Sequence, residues 1–159
     1  HYFVGPAETV AALNGGTEHK GGGGAARDIS AAIRFVGGGS GTIHGTWALN
    51  FGFPLYELVV NYERGRIHLR GLDGDLEVLD YAADGKHHEL YSVTRNTSRW
   101  DQYKASFGAS IRAYLESLRA GTAPPIPGVA GLQELQFEAA LRRSAHSGRP
   151  VNAQEEFPL

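Results

Sequence analysis

The chain has 159 residues, a formal charge of −2 from 15 basic and 17 acidic side chains, and no Cys. That length suffices for one domain burying roughly 70% of its unfolded surface, so no disulfide or metal staple is required. The composition excludes thiol nucleophiles and Cys-based metal centres, and the near-neutral balance lacks the basic footprint that nucleic acid or an anionic membrane demands.

No apolar run approaches the ~18 residues of a membrane span, and no basic-then-apolar leader opens the chain. These features predict a soluble, cytoplasmic protein. The sequence starts His1-Tyr2-Phe3-Val4-Gly5-Pro6 and contains no Met, which reads as a piece of something longer.

Taken in order, Glu8 to Leu13 is predicted to open a sheet. Glycine clusters at 14–26 and 37–41 then act as punctuation. Between them Ile29, Ala31, Ile33 and Phe35 alternate with Ser30, Ala32 and Arg34, the period of a strand with one buried face. The next alternation sets Ile43, Trp47, Leu49 and Phe51 against Thr42, His44, Thr46 and Asn50. Tyr56 to Tyr62 and Arg66 to Arg70 follow as strands around a reversal at Glu63-Arg64-Gly65. Leu76 to Tyr81 lies between turns at Asp73-Gly74 and Asp84-Gly85, and His88 to Val93 is a further strand. Such short connections make these strands antiparallel neighbours.

The last third changes period. Trp100, Tyr103, Phe107, Ile111, Tyr114 and Leu118 fall on one helical stripe that begins at Ser98 and ends at Gly121. This stripe is expected to enter a helix–sheet core. Pro124, Pro125 and Pro127 separate it from a second helix over about 131–147, with Leu132, Leu135, Ala139 and Ala140 as buried candidates and Gly148 as its stop. Strands first and helices last predict one α+β domain over 1–159: a mostly antiparallel sheet, helices packed on one face, the other face open for oligomerisation.

Direct signs of catalysis are few. Gly21, Gly23 and Ala26 loosely match a dinucleotide fingerprint, but a strand follows where the phosphate site needs a helix. Seven His residues include no helical i, i+4 pair, and no G-x-S-x-G elbow exists. No catalytic residue, metal site or cofactor site is therefore assigned to this chain. The polar side of the sheet, with Arg34, Thr42, His44, Thr46, Asn50, His68 and Arg70, is either water-facing or covered by a second sheet. Its Thr, His, Asn and Arg content suits an interface, and His44, His68 and Arg70 are placed near a homodimer contact.

Several segments in order resemble the C-terminal domain of the glucose–fructose oxidoreductase/inositol dehydrogenase (Gfo/Idh/MocA) family. They are Phe3 to Ala12, Asp28 to Phe35, Gly41 to Trp47, Tyr56 to Val60 ending in Arg64-Gly65, and the closing Gly131-Leu132, Glu138-Ala139-Ala140, Ser144-Ala145 and Gly148-Arg149-Pro150-Val151. The resemblance implies a Rossmann domain ahead of this one, absent here, holding NAD or NADP and the catalytic Lys. His1 lies too close to Gly5 to inherit the family's catalytic His. This half would then be the substrate-side and oligomerisation domain of an oxidoreductase acting on a sugar or cyclic polyol, inactive alone.

The resemblance further implies substrate contacts from Asn50, Phe51, Phe53 and Tyr103, with packing as the competing role for the three rings. The glycine-rich insert at 15–24, and Tyr62 where many members have Gly, depart from the family pattern. The rival readings are a stand-alone binding or assembly domain and part of an NAD-using non-redox sugar enzyme.

Overall fold

The computed structural model describes residues 3–15, 28–46, 56–71, 74–92 and 99–159. The expectations for Asn50, Phe51 and Phe53, for Trp47 and Leu49, and for the glycines at 21–24 lie outside those residues. The elements in order are β1 (Ala7–Gly15), β2 (Asp28–Phe35), β3 (Ser40–Thr46), β4 (Glu57–Tyr62), β5 (Gly65–Arg70), β6 (Leu76–Ala82), β7 (Gly85–Tyr91), α1 (Arg99–Ala120), α2 (Gly128–Ser147), β8 (Val151–Asn152) and α3 (Ala153–Glu156). The chain is α+β with two four-stranded sheets, and it divides into two compact units, His1–Leu49 with Ile126–Leu159, and Asn50–Pro125.

In the first unit the strand order is β3-β2-β1-β8, every pairing antiparallel. Alternation along β2 puts Ala31 and Ile33 on the buried side opposite Ala12 and Val10 of β1. The β2–β3 hairpin closes with Gly38 donating its N–H to the Phe35 carbonyl at 2.9 Å. Gly38 has φ +86°, the left-handed region that a side chain disfavours. α2 lies against β1, and the core joins Val10, Ala12, Ala31 and Ile33 to Ala140, Val151 and Ala153, with Phe35, Phe137, Leu141, Ala145 and Phe157 at its margin.

Small residues at the crossing bring α2 close enough for its polar side chains to serve the strand. The buried Ser144 hydroxyl accepts from the Ala12 N–H at 2.9 Å, where short β8 no longer covers the edge of β1, and donates to the Arg149 carbonyl at 2.7 Å. Gln154 donates to the Ala7 carbonyl at 2.7 Å and to Gln136 Oε1 at 3.1 Å, and Gln136 in turn donates to the Phe157 carbonyl at 2.7 Å. Gln136 and Ser144, the buried polar side chains of α2, are thus paired, as a dry interior requires. Of the expected core of α2, Ala140 is buried and Ala139 half-buried, whereas Leu132 and Leu135 are exposed. Gln136, Ala140 and Ser144 form the inward face instead, because close approach to β1 selects shape and hydrogen bonding over apolar bulk.

In the second unit β4, β5, β6 and β7 form an antiparallel meander in chain order. The first reversal pairs Tyr62 with Gly65, and a Cβ built on Gly65 would stand 2.4 Å from the Leu79 carbonyl oxygen, so glycine is required there. The last strand is Gly85–Tyr91 rather than His88 to Val93, since Ala82 pairs with Gly85 and the turn sits one residue earlier than expected.

The expected start of α1 at Ser98 lies outside the described residues, while its end is at Gly121 as expected, φ +65°, where the Thr122 N–H returns to the Ser117 carbonyl at 3.0 Å. Its stripe, however, is not in a helix–sheet core. Trp100 is 63% exposed, Tyr103 51%, Phe107 55% and Ile111 60%. Spacing fixes which side chains share a helix face, but not what covers that face. Within this unit α1 does not lie against β4–β7 as α2 lies against β1 in the other.

Candidate functional site

Each unit presents a polar sheet face. On the first, pairing places Ser30 opposite His44, Ala32 opposite Thr42 and Asp28 opposite Thr46. His44 Nδ1 stands 2.8 Å from the Ser30 hydroxyl, and the Thr46 hydroxyl donates to Asp28. His44 is exposed at the position expected of it, on the side away from Ala31 and Ile33.

On the second, cross-strand register aligns acids and imidazoles over all four strands. His68 on β5 lies 2.9 Å from Glu57 Oε1 through Nε2 and 3.5 Å from Glu77 Oε2 through Nδ1. The other oxygen of Glu77 is 2.9 Å from His88 Nε2. Arg70 shares the His68 side of β5 and pairs with Glu57 across β4, and Arg66 on the same side keeps a buried Nε with no partner. Sequence reasoning found His68 and Arg70 but missed Glu57, Glu77 and His88. Hairpin register was the signal, because Val59 opposite His68 and His68 opposite Glu77 follow once the two reversals are centred.

His68 and Glu77 are half-buried while Glu57 and His88 are open to water, so solvent still screens these pairs and each contributes about 1 kcal/mol at most. What the row offers is an ordered array of hydrogen-bonding groups. Among the described residues no group of three His, Asp or Glu is placed to hold a metal ion. The expected interface residues divide between the units, His44 in the first, His68 and Arg70 in the second. Tyr103 sits within the α1 row, its ring edge-on to Phe107 at 5.0 Å and to Trp100 at 6.2 Å.

Two further electrostatic features lie apart from these faces. Paired hydrogen bonds from Arg149, at 2.8 and 3.0 Å, hold the Glu156 carboxyl below the usual carboxylate range and raise the guanidinium in turn. Glu89, accepting from the Tyr91 hydroxyl, pushes that phenol up.

A dinucleotide does not fit the described elements. Its cradle needs parallel strands joined through a helix whose N-terminus meets the pyrophosphate. Every strand pairing here is antiparallel, and the first helix comes after seven strands. No described helix is long and apolar enough to cross a membrane.

No protein-family model and no curated protein matches the chain. Solved structures do. An oxidoreductase from Agrobacterium radiobacter, in complex with NAD+, L-tartaric acid and magnesium, superposes with a TM-score of 0.78 at 19% identity, over 98% of this chain and 46% of that one. Levoglucosan dehydrogenase bound to NADH and levoglucosan gives 0.77 at 16% identity, over 96% of this chain and 46% of that one. The WlbA dehydrogenase from Bordetella pertussis, with NADH and UDP-GlcNAcA, gives 0.61 at 22% identity, over 99% of this chain and 41% of that one. The chain thus spans about half the length of these proteins and shares the fold of that portion of them.

Proposed function

We propose that the chain is the substrate-side and assembly portion of an NAD- or NADP-dependent oxidoreductase acting on a sugar or cyclic polyol. Its support is the superposition of nearly the whole chain on less than half of an oxidoreductase carrying NAD+. The labour is divided. The cofactor, held by the other half, supplies hydride exchange with a carbinol carbon. This half binds and orients the hydroxylated substrate.

Asn50 is assigned to substrate hydroxyls, since its amide both donates and accepts. Phe51, Phe53 and Tyr103 are assigned to the C–H faces of the ring, which pack against aromatic surfaces. His44, His68 and Arg70 are assigned to an open-face contact in a homo-oligomer, dimer or higher, of a cytoplasmic protein. The Glu57–His68–Glu77–His88 row supports that contact, because ordered polar arrays are what a wet, self-complementary interface pairs.

Saturation-transfer NMR of the full chain with levoglucosan, glucose, inositol and UDP-N-acetylglucosamine tests substrate binding. Signal for at least one of them, lost in Asn50→Ala, is expected. Signals unchanged in Asn50→Ala, Phe51→Ala, Phe53→Ala and Tyr103→Ala would overturn the residue assignment. Calorimetry with millimolar NAD(H) and NADP(H) is expected to show no saturable isotherm, and a micromolar one would overturn the division of labour.

A further inference from the structure

We draw no further inference here: the strongest candidate, the exposed apolar row along α1 from Trp100 to Leu118, carries nothing because the structure does not show what covers it.

Discussion

The two units hold the same parts, a four-stranded antiparallel sheet and a helix of 20 or 22 residues, yet only one has joined them. The helix with the larger apolar side chains is the exposed one. α2 is seated on β1 through Gln136, Ala140 and Ser144, two of them polar, because each polar atom finds a partner and small side chains allow close approach. α1 carries seven large apolar residues, the six of the row and Leu115, and leaves them at the surface. Burial in this chain follows fit and hydrogen-bond satisfaction more closely than it follows hydrophobicity.

The sharpest way to break the contrast is to place a charge on each side of one strand. Val10 is fully buried in the first unit, whereas Leu13 on the same strand is 70% exposed. Val10→Asp should cost more than ~4 kcal/mol, since it buries an unpaired carboxylate, while Leu13→Asp should change stability by under ~0.5 kcal/mol. Urea unfolding followed by circular dichroism measures both. Equal losses would mean that β1 does not sit in register with β2 as described.

A smaller effect isolates hydrogen bonding from packing. Ser144→Ala leaves the Ala12 N–H and the Arg149 carbonyl without their buried partner, at a cost of about 1–3 kcal/mol. Amide exchange at Ala12 should accelerate along with the loss of stability. Exchange unchanged at Ala12 would show that water replaces the hydroxyl.

Much of the first unit was legible in the sequence. Ile29, Ala31 and Ile33 declared the face of β2 by period, and Gly148 declared the end of α2, where it adopts φ +69°. The inward face of α2 was not legible, because Gln136 and Ser144 look like surface residues until the carbonyls of Phe157 and Arg149 are known to be near. The division into two sheets escaped as well, since alternation shows which side chains share a face and not which strand lies alongside. For the site, His44, His68 and Arg70 were found as polar-face residues. Their acidic neighbours needed the hairpin register, which a one-residue error at each turn displaces.

The Arg149–Glu156 pair gives the comparison a pH axis, because it belongs to the unit with the closed core. Hydrogen bonding to Arg149 lowers the Glu156 carboxyl from its ordinary value of 4.5. The folded state therefore releases that proton more readily than the unfolded state, and the pair stabilises at neutral pH. Its contribution fades as pH falls from about 4.5 through the lowered folded value. Thermal midpoints between pH 6 and pH 3 should fall more steeply for the native chain than for Glu156→Gln. Parallel curves would remove the pair from the stability of this unit.

The smallest effect is the most diagnostic of the exposed helix. A ring in a helix–sheet core would cost ~3–5 kcal/mol on truncation to Ala. Phe107, at the middle of α1, is more than half exposed. In dilute solution Phe107→Ala should therefore cost under ~1 kcal/mol, little more than Arg112→Ala on another side of the helix. Chemical denaturation of both variants measures the difference. A large loss for Phe107→Ala alone would mean that α1 docks on a surface of its own chain in solution, since only a covered ring loses packing when it is removed.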